Sequence, residues 1–243
     1  MASDCMALSA LTPAVVPVRF DLTADQVRLR YLQHASFAIE SAGLLVVTDY
    51  TGESGGVVPD VVTMNNAHDT HYTDHPDPGI PLILRGWGEA GRAAVIDLDL
   101  GDMRIRNVTT DLRGPFGEGA RKDGNSIFIF EVAGLCIGHL SHLHQIPTPA
   151  QYAAIGRLDV VMVPVDGAFT MDVAEMADVV RRLHARVVLP MHWFSDEGLA
   201  RFLVQLNGDF TIVVPGGAEM VLSRAGLPER PEVVVLQPAV AEE

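Results

Sequence analysis

The pattern of apolar and polar positions changes near the middle of the chain, from strand-like to helical. Residues 27–31 alternate as a half-buried strand does, and residues 44–48 form the continuous apolar run of a buried strand. Further strands are predicted at residues 58–63, 93–98, 103–108 and 126–137, the last divided near Gly134. The glycine-rich, charged residues 113–124 predict a loop.

Helices alternate with strands after residue 148. Thr148 is a predicted helix cap and Pro149 a first-turn proline, ahead of a helix at residues 150–155. Apolar residues recur at helical spacing within residues 171–184, for which Thr170 is the predicted cap. A third helix is predicted at residues 196–206, and strands at 159–165, 187–189 and 210–214. One compact α/β domain with two sheets is the simplest interpretation.

Charge and composition exclude several classes of partner. The net charge of −14 argues against a nucleic-acid backbone or an anionic membrane as the main partner. No apolar run approaches the length of a membrane span. The first residues carry Asp4 and no early Lys or Arg, which makes a poor signal peptide, so we expect a cytoplasmic protein, with a processed exported protein as the alternative. The two cysteines do not indicate a disulfide framework. A homo-oligomer stays possible.

Histidines cluster where three predicted strands end. Neutral imidazole is the commonest metal ligand, so such clusters indicate a metal or catalytic centre. Seven of the nine histidines lie in or beside these segments: His68, His71, His75, His139, His142, His144 and His192.

Five short motifs, in order along the chain, resemble those of the metallo-β-lactamase-fold hydrolases, and within them the branch similar to ascorbate-phosphate lactonases. The motifs are Gln33-His34-Ala35-Ser36-Phe37, Thr48-Asp49, His139-Leu140-Ser141-His142-Leu143, Val163-Pro164-Val165-Asp166-Gly167 and Pro190-Met191-His192-Trp193. The resemblance covers roughly residues 27–222. It implies a four-layer αβ/βα sandwich of two mixed β-sheets flanked by helices. We expect this domain at residues 26–225, between an N-terminal arm (1–25) and a C-terminal tail (226–243).

The metal motif departs from the family pattern His-x-His-x-Asp-His. Asn66 stands at its first His and Thr70 at its Asp, and the position of the family's middle His falls near Thr110. The bridging Asp is replaced by His142. Read through the resemblance, these changes remove one metal site and leave the second with three imidazoles, those of His71, His142 and His192. Three histidines and an open position are typical of a mononuclear catalytic zinc site. We therefore expect one divalent metal, with zinc ahead of iron or manganese.

Other residues are candidates for proton transfer and substrate binding. Asp69, Asp166 and His144 are candidate general bases, with Asp166 favoured because it ends a strand on the expected rim of the site. His34 and His68 are candidates for substrate binding or for hydrogen bonds to the ligands. The remaining two candidates, Arg85 and Arg113, would hold an anionic group of the substrate.

Two functions from different classes follow. The first is a metal-dependent hydrolase of a small ester, lactone or phosphodiester that uses a metal-activated water. The alternative is a non-catalytic binding or scaffold protein with a degenerate metal site. The altered motif favours the alternative, whereas the gain of a ligand at His142 favours the hydrolase. A nuclease also occurs on this fold, but the acidic balance and the missing motif residues count against it.

Overall fold

The computed structural model describes residues 22–88, 92–113 and 120–239, and most of the predicted N-terminal arm lies outside these ranges. The described residues form fourteen strands and three α-helices. The strands are β1 Gln26–Gln33, β2 Ser36–Ser41, β3 Leu44–Val47, β4 Val61–Met64, β5 Leu82–Arg85, β6 Asp97–Asp99, β7 Met103–Arg113, β8 Ala120–Val132, β9 Leu135–His139, β10 Val160–Pro164, β11 Val187–Met191, β12 Thr211–Val213, β13 Glu219–Ser223 and β14 Glu232–Val234. The helices are α1 Pro149–Ile155, α2 Val173–Leu183 and α3 Asp196–Leu206.

The strands form two mixed sheets. The first has the order β13-β1-β2-β3-β4-β5, antiparallel up to β3 and parallel from β3 to β5. The second has the order β12-β14-β11-β10-β9-β8-β7-β6, parallel from β12 to β9 and antiparallel beyond. Each sheet thus contains a parallel part whose strands end at one edge, where side chains from successive loops can meet.

The main core lies between the two sheets. Phe37 and Ile39 of β2 and Phe128 and Phe130 of β8 are fully buried members of one apolar cluster. The opposite face of the eight-stranded sheet packs against all three α-helices, and Phe202 of α3 is fully buried there. Strand β10 is buried at every position because both of its faces are covered. The predicted architecture of two mixed sheets flanked by helices is confirmed.

The outer face of the six-stranded sheet is covered differently. Met64 and other residues of its strands pack there against loop side chains, including Ile80, Tyr72 and Trp87. No α-helix contributes to this apolar cluster among the described residues.

The helix starts follow ordinary capping chemistry. The Thr148 hydroxyl accepts the Gln151 N–H and the Gln151 side chain accepts the Thr148 N–H, which is a reciprocal capping box. Helix α2 is capped by Asp172, whose carboxylate accepts the N–H groups of Ala174 and Glu175. The prediction that Thr170 caps this helix is wrong, because the Thr170 hydroxyl donates to Asp166 instead.

Two further expectations need correction. Residues 226–243 are not only a tail, since β14 lies between β11 and β12 and its Val234 joins the central core. The predicted loop at 113–124 is shortened by strand pairing, because Leu112 pairs with Arg121 and Arg113 with Ala120. Short, polar or edge strands carry too weak a periodic signal to be found from sequence.

The described helices include none that combines the length and apolar character required to cross a membrane.

Candidate metal centre

The candidate site lies where the parallel strands of both sheets end. Loops after five strands supply its polar side chains: Asp49 after β3, His68 and His71 after β4, His142 after β9, Asp166 after β10 and His192 after β11. His34 joins them from the turn between β1 and β2. Six separate segments therefore converge at one point. The topology of the two sheets brings them together, and no local sequence pattern predicts that convergence.

The turns that deliver these side chains adopt uncommon backbone conformations. His34, Asp49, Ser141 and His192 have φ values of 45°, 42°, 50° and 56°. Such left-handed conformations are uncommon for residues other than glycine and cluster at functional sites. At His34 the turn is held by its carbonyl, which accepts the Tyr31 hydroxyl at 2.7 Å and the His192 N–H at 2.8 Å.

Five imidazoles form the centre of the site. His34, His68, His71 and His192 each offer one ring nitrogen within 4.8 Å of the others. The His71 and His192 rings stack with centroids 5.2 Å apart. The fifth ring, that of His142, lies with its centroid 5.0 Å from those of His68 and His71 and 5.4 Å from that of His192.

A buried carboxylate holds His71. Asp49 Oδ2 lies 2.6 Å from His71 Nδ1, and the same oxygen accepts the Ser141 hydroxyl at 2.6 Å. Asp49 Oδ1 accepts the Asn65 side-chain N–H at 3.1 Å. Burial raises the pKa of Asp49, but the His71 and His139 imidazoles and these hydrogen bonds outweigh it and bring the pKa to about 2. The ionised carboxylate assigns the proton to Nδ1 of His71 and directs Nε2 into the site.

A second carboxylate stands behind His192. Asp166 Oδ1 lies 3.2 Å from His192 Nδ1. The other oxygen, Oδ2, accepts the N–H groups of Ala168, Phe169 and Thr170. Burial raises the pKa of Asp166, but the contacts with His192 and Thr170 outweigh it and place the pKa below its ordinary range. With its oxygens occupied by donors, Asp166 is placed to orient His192 rather than to take a proton from water.

Four of the five imidazoles, those of His34, His68, His71 and His142, are held in their neutral form. Burial, reinforced by neighbouring imidazoles, lowers the pKa of His34 to about 2 and that of His142 to about 2. The same causes lower the pKa of His68 to about 4, and burial lowers the pKa of His71 against the opposing effect of Asp49. A neutral imidazole is the form that binds a metal.

The donor set fits a divalent metal. Nε2 of His71, Nε2 of His192 and both ring nitrogens of His142 are buried without a hydrogen-bond partner among the described residues. Buried polar atoms almost always have a partner, so several orphaned nitrogens at one point require an explanation. A metal ion that takes nitrogen ligands supplies it. His71 and His192 would then be ligands, with Asp49 hydrogen-bonded to His71 Nδ1 and Asp166 Oδ1 3.2 Å from His192 Nδ1.

The sequence-predicted ligands are placed as follows. His71 and His192 belong to the group of four whose ring nitrogens lie closest together, whereas His142 lies beside that group. His34 and His68, which the sequence suggested as substrate-binding residues or hydrogen-bond partners, are members of the group. Asn66 and Thr110 stand at the altered family positions. The Thr110 hydroxyl accepts a hydrogen bond from the Asn125 side chain at 2.8 Å.

A cavity of about 460 Å³ opens onto the imidazoles. It is lined by His34, Ala67, His68, Thr70, Leu112, Arg113, His142, Ala168, Phe169 and Phe194. Arg113, predicted to hold an anion, is thus at the cavity. Arg85 is an exposed residue at the end of β5 and is not part of this lining.

The other candidate bases lie outside the cavity lining. Asp69 is exposed, although its charge acts on His68. The half-buried His144 lies near Arg113 and Asp111, and burial lowers its pKa.

Sequence reasoning left out several residues that build the site. Asn65 and Ser141 both donate to Asp49, and Asn125 accepts the His142 N–H at 3.2 Å. Phe169 and Phe194 belong to the cavity lining. Their positions in the sequence could have indicated them, because each residue lies close to one end of a predicted strand.

A family model described as a beta-lactamase superfamily domain matches residues 28–192. A metal-dependent hydrolase of Thermococcus kodakarensis is 25% identical over 224 residues, which cover 82% of this chain and 97% of that protein. A metal-dependent hydrolase of Pyrococcus abyssi is 25% identical over 191 residues, covering 69% of this chain and 84% of that protein.

Solved structures give the same picture. A Thermotoga maritima protein assigned to the Zn-dependent hydrolases of the metallo-β-lactamase superfamily superposes with a TM-score of 0.63 at 27% identity, over 86% of this chain and 98% of that one. Igni18, a metallo hydrolase from Ignicoccus hospitalis, has a TM-score of 0.56 at 17% identity, over 88% of this chain and 96% of that one, and this likeness concerns the fold alone.

Proposed function

The chain belongs to the beta-lactamase superfamily, as a hydrolase of the metallo-β-lactamase fold, and from this premise we propose that it hydrolyses a small ester or lactone at a single metal ion. The observation that carries the proposal is the convergence of five imidazoles, four of them buried and two of them backed by carboxylates. Zinc is the metal we favour, because nitrogen-rich sites with an open position are typical of catalytic zinc.

We propose that His71 and His192 are two of three imidazole ligands and that His34, His68 or His142 supplies the third, which leaves a position open for water. Asp49 and Asp166 hold the two central rings in the tautomer that presents Nε2. When bound, the metal would lower the pKa of water and polarise the carbonyl oxygen of the substrate. His142 faces the cavity and is placed either to add a further ligand or to take a proton from water at a ring nitrogen.

The proposal of one metal rests on the family's other metal site, where Asn66 and Thr110 stand at two of the histidine positions. Asn66 offers a side-chain amide there and Thr110 a hydroxyl that already accepts a hydrogen bond from Asn125. Neither group is a ligand that holds zinc well. In the reaction, a water oxygen bonds to the acyl carbon, the bond from that carbon to the ester oxygen breaks, and a proton passes to the departing alkoxide.

Metal content per chain, measured on protein purified without chelator, tests this proposal. We expect close to one zinc per chain in the wild type and a large loss in His71→Ala and His192→Ala. His75→Ala removes an exposed histidine outside the site and serves as the matched control, with metal content unchanged. His142→Ala separates its two roles, because loss of metal identifies a ligand and retention with loss of ester hydrolysis identifies a proton acceptor.

Two results would contradict the proposal. Two metals per chain would mean that a second site exists. No metal, even after reconstitution, would leave the non-catalytic binding protein as the better account.

A further inference from the structure

The lining of the cavity combines the imidazoles with a set of apolar side chains that the hydrolytic chemistry does not require. These are Ala67, Leu112, Ala168, Phe169 and Phe194. They come from separate segments of the chain, after β4, at the end of β7, after β10 and after β11. A lining of this kind contributes to substrate selection, since apolar walls with a few placed polar groups are typical of small-molecule sites.

Two phenylalanines are prominent among these residues. Phe169 is 62% exposed and Phe194 is 57% exposed. Their rings contact each other edge to face with centroids 5.7 Å apart. The Phe194 ring also lies 5.3 Å from His192 and 5.6 Å from His34, so the pair reaches the imidazole cluster. Large apolar side chains left exposed beside a cavity offer contact area for an apolar or aromatic group of a ligand.

The loop that carries Phe169 is held in place from two directions. Asp166 accepts its N–H groups at residues 168, 169 and 170. Arg113 donates to the Ala168 carbonyl at 3.1 Å and to the Thr170 carbonyl at 3.4 Å. The backbone at Phe169 is therefore held in place before a ligand arrives, which reduces the entropy lost on binding.

Arg113 also brings a positive charge to the cavity. No carboxylate of the described residues lies within ion-pair distance of its guanidinium, which keeps N–H donors beyond the two used on the loop. It is the single Arg or Lys among the described residues that line the cavity. Arginine binds planar oxyanions such as carboxylates through directed hydrogen bonds.

We propose that the cavity selects an ester or lactone that carries one carboxylate and an aromatic group, with the carboxylate on Arg113 and the ring against Phe169 and Phe194. The choice of reaction rests on the proposed function, whereas the binding preference rests on the cavity alone. Arg113 is the one cationic side chain among the described lining residues, and the chain has a net charge of −14. The cavity therefore suits a substrate with one negative charge and disfavours multiply charged phosphate esters.

Binding of three small probes to the chelator-treated full chain tests the proposal without involving a metal. Phenylacetate carries both the ring and the carboxylate, 2-phenylethanol carries the ring alone, and acetate carries the carboxylate alone. Ligand-observed NMR titration gives their dissociation constants. We expect phenylacetate to bind at least about tenfold more tightly than either partial probe, equivalent to about 1.4 kcal/mol.

Variants assign the preference to residues. Arg113→Met is expected to remove the advantage of phenylacetate over 2-phenylethanol, while the double change of Phe169→Ala and Phe194→Ala removes its advantage over acetate. Because Arg113 also anchors the loop, Arg113→Lys keeps the charge with less anchoring and should retain part of the advantage. Arg201→Met changes an arginine on α3, outside this cavity, and should leave all three constants unchanged.

Equal affinity for the three probes, or an advantage of phenylacetate over 2-phenylethanol that survives Arg113→Met, would overturn the proposal. If this binding test fails while the purified chain holds one zinc, the proposed hydrolase function is retained and this substrate preference is rejected. Absence of metal together with the expected probe selectivity would remove the hydrolase and keep the binding preference.

Discussion

At the scale of single residues, the site depends on two carboxylates that hold imidazoles. Asp49 is fully buried and accepts hydrogen bonds from Asn65 and Ser141 besides its contact with His71. All three groups act as donors toward Asp49. A side chain at this position must therefore accept hydrogen bonds at both of its terminal atoms, as an ionised carboxylate does. Asp49 thus determines which nitrogen of His71 faces the cavity, and hence whether that ring can act as a ligand.

Asp49→Asn is expected to weaken zinc binding by about 10- to 100-fold, the usual effect of losing a hydrogen-bonded partner of a ligand. The asparagine amide would turn a donor toward Asn65, or toward Ser141 and His71. Competition with a chromophoric chelator measures the affinity. Asp178→Asn, an exposed position on α2, is the control and should show wild-type affinity. Equal affinity in Asp49→Asn and wild type would mean that His71 is not a ligand.

At the scale of elements, helix α3 stabilises the fold through one face. Phe202 is fully buried against the eight-stranded sheet, while Val204 on the same helix is 70% exposed. Phe202→Ala is expected to lower the free energy of unfolding by about 3–5 kcal/mol, because it removes apolar contacts and leaves a cavity. Urea denaturation measures the change.

Val204→Ala is the matched comparison on this helix and is expected to change stability by no more than about 0.5 kcal/mol. A similar loss in both variants would mean that α3 does not pack on the sheet as described. The site lies at the strand ends rather than on α3, so zinc content should be preserved in both variants.

At the scale of the whole molecule, a metal at the strand ends would tie segments of both sheets together. His34, His68 and His71 lie in a turn and a loop that connect strands of the six-stranded sheet, and His192 follows β11 of the eight-stranded sheet. A ligand that binds only the folded chain stabilises it by mass action, by about 2.7 kcal/mol at a free concentration one hundred times its dissociation constant. The sheets should therefore separate more readily without metal.

We expect chelation to lower the melting temperature of the wild type and zinc to restore it. In His71→Ala the melting temperature should be the same with and without chelator, whereas His75→Ala should respond as the wild type does. Thermal unfolding followed by circular dichroism is the measurement. A chelator effect of equal size in His71→Ala would place the stabilising metal elsewhere.

The sequence by itself determined the apolar strands, the three helices and the motifs that identify the family, because these are written as local periodicity and short runs of residues. His71 and His192 were proposed as ligands from such motifs, and the structure brings them together. Short strands such as β5, β13 and β14 escaped prediction, since three to five residues carry little periodic signal and their pairing partners are distant.

Only the tertiary structure decided how the histidines meet. The turn at His34 and the loop at His68 lie far from His192 in the chain, and the two sheets bring their ring nitrogens together. It also decided that Asp166 stands behind His192, because these two residues follow different strands that the sheet places side by side. The physical reason is that the sequence states the chemical type of each side chain directly, whereas the partners, burial and pKa of that side chain depend on which strands pair.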